Sequence, residues 1–541
     1  MKAKLTFGFA GAAACVMTAA GAAPLMTPWG EKVTSANCWR EYPRPQMVRD
    51  NWTCLNGDWD WQVTSVTNTP GRPETWAGKI RVPFAIESAL SGVGRALEPD
   101  EFLWYTRTIT CAPAPGKRIL LHFEAVDFRA MVFIGHQEVT DVPHESGQLP
   151  FTLDITDYVK PGDNELTVCV WDPTDDFINS RGKQCFKPGG CFYTRSSGIV
   201  GSVWMETVPE KHIRSYKLYT DIDKGTVRFE FDKVEGAGEV KVTTNLPKDF
   251  TCWTPETPQL YTFTATYGED VVKGYFGMRK FEKRKDAKGV LRFFLNHKPI
   301  FLLGTLDQGW WPDGLLTPPS EEAMVFDILT LKDCGYNMMR KHIKVEPRRY
   351  YYLCDKLGLL LIQDLTRRYD ATRLVNGPSG CWDWEGGELL PFGWSKRVKT
   401  AHKPAGECEA ADTVDYHLYR GPTMFPVNDR RISFLGEFGG LGPPVTGHLW
   451  REAKANWGYG GIEDTKTRGG LAQTYAKLMD EVGALAEKGL GGAVYTQTTD
   501  VEIEINGLLT YDRKVLKFDP AALKEVHARV FQRAAAAAGR P

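Results

Sequence analysis

From about residue 294 onward, short apolar runs alternate with stretches of helical periodicity, and this rhythm constrains the fold more than any other feature. Runs such as Leu359-Leu-Leu-Ile362 and Ile432-Ser-Phe-Leu435 lack the polar alternation of a strand with one wet face. They need cover on both sides, as in a parallel sheet flanked by helices. Strands are expected at Pro299–Gly304, Tyr336–Arg340, Leu359–Ile362, Arg373–Asn376, Thr413–Tyr419, Ile432–Glu437 and Gly492–Thr496. Between them, Ser320 suits an N-cap, with Glu321 and Glu322 at the positive end of a helix. Met324, Ile328 and Leu331 then share one face as far as Gly335. Pro347–Leu357, Ala472–Lys488 and Pro520–Ala538 read as further helices. Seven strands fall one short of a closed (β/α) barrel. Asp364 and Arg373 are too close in sequence to hold a helix, a strand and a second helix. The expectation for residues 284–541 is therefore a TIM barrel of (β/α)8 type lacking about one strand–helix unit.

Upstream the texture is all β. Asn56-Gly57 reads as a tight hairpin turn, followed by Trp59, Trp61 and Val63 at period two. Leu166, Val168 and Val170 alternate likewise, so residues 41–210 are expected to form a jelly-roll β-sandwich. Residues 211–283 form a second β block, short for an immunoglobulin-like sandwich of about 100 residues. The chain thus reads as multidomain, β followed by α/β. At the N-terminus, Lys2 and Lys4 precede an apolar segment, and Ala20-Gly21-Ala22 has the A-x-A form of a cleavage site. Residues 1–22 are read as a signal peptide and the protein as secreted or periplasmic. A lipoprotein modified at Cys15 is disfavoured, because no Leu stands three residues before it.

Charge is balanced, 66 basic against 67 acidic residues, which gives no electrostatic case for nucleic acid or a membrane surface. No later stretch is long and apolar enough to span a bilayer. The 12 cysteines show neither a CxxC pair nor zinc-ligand spacing, so no metal or cofactor is expected. Cys185 and Cys191 are close enough in sequence to pair in an oxidising compartment. Self-association into a homo-oligomer is left open.

Polar residues gather at the ends of the apolar strands. Glu437 follows Ile432–Leu435 after one glycine, and glycines after it stop the strand. In a (β/α) barrel that end is the catalytic face. Asp307, Arg340, His342, Asp364, His417, Tyr419 and Gln497 lie at corresponding ends.

Longer stretches carry a specific resemblance: Leu103-Trp-Tyr-Thr-Arg, Tyr193-Thr-Arg-Ser-Ser-Gly-Ile, Trp253-Thr-Pro-Glu-Thr-Pro-Gln-Leu-Tyr, Asp333-Cys-Gly-Tyr-Asn-Met-Met-Arg-Lys-His and Leu435-Gly-Glu-Phe-Gly-Gly. Over nearly the whole chain after residue 22, these resemble glycoside hydrolase family 2, the β-galactosidase and β-glucuronidase family. The resemblance implies a glycoside or oligosaccharide substrate and makes Glu437 the nucleophile of a retaining exo-β-glycosidase. It implies that Tyr419 and His417 hydrogen-bond that nucleophile, and that Arg340 and His342 hold nucleophile and sugar. A barrel ion pair made by Arg340 would still neutralise Glu437. Asp364 joins the sugar-binding set, and Asp307 and Gln497 are expected to bind hydroxyls. Trp310 and Trp311 either stack on a sugar ring or cap the barrel. No Asn-x-Lys follows Glu437, which favours a neutral sugar, galactose, over a uronate.

Retaining glycosidases use two carboxyl groups about 5–5.5 Å apart. The family's acid/base is the Glu of an Asn-Glu pair ending the fourth strand, and this chain's one such pair, Asn164-Glu165, lies in the β-sandwich. The missing strand and the missing acid are one absence, which implies impaired turnover. Glu385 or Glu388, among the tryptophans of the loop 380–409, could replace it, although that loop reads first as a solvated, glycine-rich surface segment. The rival reading is a non-catalytic or truncated carbohydrate-binding relative.

Overall fold

The computed structural model describes residues 24–66, 71–177, 179, 181–364, 412–451, 456–459 and 468–539, with the backbone of two short strands at Trp384–Glu385 and Glu388–Leu389. The expected signal peptide and the expected strand Arg373–Asn376 lie outside them.

Two antiparallel sheets make the first unit. One has the order Trp52–Cys54, Val203–Pro209, Lys117–Phe123, Phe151–Asp154; the other runs from Gly78–Val82 through Gly57–Ser65, Glu101–Cys111 and Gly162–Trp171 to Arg129–Ile134. Alternate residues of both, among them Trp59, Leu103, Tyr105, Leu121, Val168 and Val203, fill one core. Asn56-Gly57 is not a hairpin turn as expected, since the strands on either side of it belong to different sheets. Its Asn side chain instead ties the crossing chain to Trp39 and Val203, and Gly57 takes φ +116°. A smaller unit follows, with Ile213–Asp221 paired to Thr226–Lys233 and a three-stranded sheet of Lys241–Thr244, Tyr261–Tyr267 and Asp270–Phe276. Phe263, Tyr267 and Val272 centre its core. Buried Arg49 clamps the two units, bonding Glu206 of the first and Asp270 of the second.

The second half contains a six-stranded parallel sheet: β1 (Leu302–Asp307), β2 (Met338–Lys341), β3 (Leu360–Gln363), β4 (Thr413–Leu418), β5 (Ile432–Gly439) and β6 (Gly492–Thr496), in the order β3-β2-β1-β6-β5-β4. β1, β5 and β6 are buried along their whole length, as their unbroken apolar runs require. Among the described residues four helices accompany them: α1 (Glu321–Asp333), α2 (Arg348–Leu357), α3 (Arg468–Lys488) and α4 (Pro520–Ala537). Ser320 caps α1 by accepting from the Ala323 amide, and Asp519 caps α4 at Ala521. Gly358 ends α2 in the left-handed region. The apolar sides of these helices meet the sheet in a single core that includes Met324, Ile328, Tyr350, Leu435, Tyr475 and Val530.

All nine described cysteines are free thiols. Cys185 and Cys191, expected as a plausible pair, are therefore unbridged; Cys185 is packed with its Sγ toward the Tyr193 carbonyl. No helix among the described residues is long and apolar enough to cross a membrane.

Candidate active site

The sheet carries its polar residues to one end because each strand stops there. On β5 the pairing slips with both neighbours at Gly436 and Glu437, a bulge that re-aims the Glu437 side chain. Gly436 permits it: a Cβ there would lie 2.2 Å from the Asp415 carboxylate on β4. Gly440, at φ +73°, lets the chain turn away beneath the Tyr459 ring.

Glu437 is 8% exposed and held from three sides. Arg340 Nη1 donates to its Oε1 at 3.2 Å, and the Tyr419 hydroxyl donates to Oε2 at 2.6 Å. His417 Nδ1 stands 3.4 Å from the same Oε2. Burial opposes the charge, but the His417 and Arg340 cations outweigh it and hold the carboxyl far below the usual range. Burial and Glu437 together drive the Tyr419 phenol well above its ordinary pKa, so it remains a donor. His417 loses by burial and gains more from Glu437 and Asp415, and its pKa rises. Arg340, fully buried at the end of β2, also takes both oxygens of Asp364 at 3.1 Å and the Gly436 carbonyl at 2.9 Å. His342 Nδ1 lies 3.1 Å from Asp364 Oδ2, and burial, assisted by Lys183, pushes it down to about 4. At neutral pH it is a neutral ring.

The structure thus brings Glu437, Arg340, His342, Asp364, His417 and Tyr419 into one network. The other sequence-predicted residues have different surroundings. Asp307 bonds the Lys341 ammonium at 2.5 Å and the Gly309 amide at 2.8 Å. Gln497 is 1% exposed; its amide nitrogen donates to Asn506, and its Oε1 has no partner among the described residues. Trp310 and Trp311 are each 3% exposed, Trp310 packed on Tyr193 and Trp311 under the Arg513 guanidinium. This is packing, with no face left for a sugar. The side chains of Glu385 and Glu388 lie outside the described residues; their backbones pair with each other in an antiparallel ladder.

Sequence reasoning missed what the first unit brings to this site. Its segment 182–194 reaches across: Tyr193 donates to Glu504 at 2.6 Å, and the Thr194 amide donates to Glu502 at 2.8 Å. Lys183, on the same segment, makes no ion pair among the described residues, yet its charge acts on Glu437, His342 and Glu504. Tyr459 stacks on Tyr419 at 3.5 Å between ring centroids. No motif at residues 182–194 could have signalled this, because the contact joins positions 311 residues apart. Among the described residues, no group of three or more His, Cys, Asp or Glu side chains is arranged to hold a metal ion.

Comparison with known proteins is consistent with this geometry. Residues 55–209 match the family described as glycosyl hydrolases family 2, sugar binding domain. A putative beta-glucuronidase of Formosa agariphila is 25% identical over 299 residues, covering 48% of this chain and 34% of that protein. A beta-galactosidase of Thermoanaerobacter pseudethanolicus is 25% identical over 289 residues, covering 46% and 37%. The matches thus span about a third of the length of these curated relatives. Among solved structures, a Faecalibacterium prausnitzii beta-glucuronidase aligns with a TM-score of 0.65 at 17% identity, over 91% of this chain and 99% of that one. A GH2 beta-galacturonidase from Eisenbergiella tayi, bound to glycerol, gives 0.64 at 18%, over 90% and 98%. These two share the fold.

Proposed function

We propose that the chain is a member of glycoside hydrolase family 2, and that it is an exported exo-β-glycosidase acting with retention through Glu437. In this reading residues 41–210 form the jelly-roll sugar-binding unit and 211–283 a shortened immunoglobulin-like one. The six parallel strands are then the described part of a (β/α) barrel over 284–541, short of the unit that carries the usual acid. The pattern Lys2 to Ala22 supports export.

The observation that carries the proposal is the state of Glu437: a buried carboxyl kept ionised by Arg340 and oriented by the Tyr419 hydroxyl. Such a group can attack C1 of a sugar and become an ester. Its alignment there would come from Tyr419, His417 and Arg340, with His342, Asp364, Asp307 and Gln497 gripping the ring hydroxyls. Within 284–541 no Asn-Glu pair stands at the usual place of the proton donor, so in this reading turnover of unactivated glycosides is impaired unless another carboxyl supplies the proton. The lack of an Asn-x-Lys after Glu437 favours a galactoside as first substrate to try.

The test is hydrolysis of 4-nitrophenyl β-galactoside and β-glucuronide, with the anomer of the first-formed sugar read by NMR. Release of the β-anomer supports the reading, and the α-anomer removes it. The absent Asn-Glu pair also favours a second reading, a carbohydrate-binding relative without turnover. Saturable galactoside binding with no hydrolysis of either substrate would support that instead.

A further inference from the structure

The sequence supplies no second carboxyl at the usual place, but the fold brings one from elsewhere. Glu504 lies in the loop after β6 and is 2% exposed. Its Oε2 accepts the Tyr193 hydroxyl at 2.6 Å, and its Oε1 accepts the Asn506 amide at 3.1 Å. The backbone of Glu504 bridges to Trp457, whose ring meets Tyr459 edge-on at 5.0 Å. Tyr459 stacks on Tyr419, and Tyr419 holds Glu437. A run of contacts therefore leads from the Glu437 carboxyl through three rings to the backbone of Glu504. Tyr459 senses the charge of both, and so does the Lys183 ammonium from the first unit.

We propose that Glu504 is the proton donor of the reaction in which Glu437 is the nucleophile, with Tyr193 of the first unit as its positioning residue. The proposal rests on the nucleophile reading of Glu437. In the first step the Glu504 carboxyl gives its proton to the glycosidic oxygen. The C1–O bond breaks with its electron pair on the departing alcohol, and a Glu437 oxygen bonds to C1. In the second step the Glu504 carboxylate takes a proton from water as the water oxygen bonds to C1. The ester bond to Glu437 breaks, and both groups are restored.

The surroundings suit this cycle. Burial raises the pKa of Glu504, and Lys183, Tyr193 and Asn506 reverse only part of that; the Glu437 charge adds to the rise. Esterification of Glu437 removes that charge while Lys183 stays in place. Glu504 then gives up its proton more readily, which is the change from acid to base that the second step needs.

The test is Glu504→Gln in the full chain, assayed on 2,4-dinitrophenyl and methyl β-glycosides of galactose and glucuronic acid, with and without azide. A 2,4-dinitrophenyl 2-deoxy-2-fluoroglycoside of each sugar labels the nucleophile in parallel. Loss of about 10²–10⁴-fold on the methyl glycoside, with far smaller loss in forming the labelled ester, is the expected result. Azide should restore turnover of the activated substrate and yield a glycosyl azide. The alkaline limb of the pH profile should vanish in Glu504→Gln and move to higher pH in Tyr193→Phe, which loses a donor to the anion. Equal losses on both substrates, or none, in a variant still labelled at Glu437 would overturn the Glu504 role alone. An unlabelled wild type would instead remove the nucleophile reading, and this proposal with it.

Discussion

Glu437, near the end of β5, and Glu504, in the loop after the neighbouring β6, are both buried carboxyls, yet their surroundings drive them in opposite directions. Glu437 touches a guanidinium and stands beside an imidazole. Among the described residues Glu504 touches only neutral donors, a phenol and an amide. Burial penalises the charge at both, so the sign of the net effect follows from the cations within contact distance. Lys183 acts on both sides and therefore does not separate them. The contrast teaches that the charge of a buried carboxyl is set by its immediate partners and not by burial alone.

Removing the charged side of the contrast should have the largest consequence. Glu437→Gln is expected to lower kcat on an activated aryl glycoside by roughly 10⁴-fold or more, with the variant still binding sugar by calorimetry. Arg340→Met leaves Glu437 and Asp364 buried without their cation, and should cost about 3–5 kcal/mol in urea unfolding at pH 7. It should also make Glu437 resemble Glu504: the acid limb of kcat/KM moves to higher pH, so activity at pH 5 is lost before activity at pH 7.

Tyr419→Phe deletes one donor to an ionised oxygen and keeps the ring stacked on Tyr459. A loss of about 1.5–3 kcal/mol in transition-state stabilisation, roughly 10- to 150-fold in kcat/KM, is expected with little change in melting temperature. The smallest effect concerns stability against pH. Glu437 and Asp364 have depressed folded pKa values, so the stability they contribute is complete above about pH 4.3 and lost as pH falls further. Glu504 has a raised one, so its favourable contribution is present at acid pH and lost as pH rises through that value. Melting curves of Glu504→Gln should therefore gain on the wild type as pH climbs above about 4.3, by a few degrees at most.

These differences explain what could be read from sequence. The parallel strands were legible because burial on both faces leaves an unbroken apolar run, as in Leu302–Leu306 and Gly492–Tyr495, whose every residue is buried. Expected and observed strand limits differ by a few residues, as in Ile432–Gly439, where the bulge carries pairing past Glu437. Asn56-Gly57 misled because a glycine with positive φ serves a sheet-to-sheet crossing as well as a hairpin. Trp310 and Trp311 stayed ambiguous, since a sugar platform and a packed cap ask for the same side chain. The Tyr193–Glu504 contact was invisible, because it is made by one unit docking on another and leaves no local pattern.

The most direct measurement is peptide mapping after incubation with a 2-deoxy-2-fluoro-β-glycoside carrying a dinitrophenyl leaving group. The account predicts one added fluorosugar on the peptide that contains Ile432–Gly440, lost in Glu437→Gln. A label on another carboxyl, or a folded protein that turns the reagent over without ever carrying it at Glu437, would contradict it.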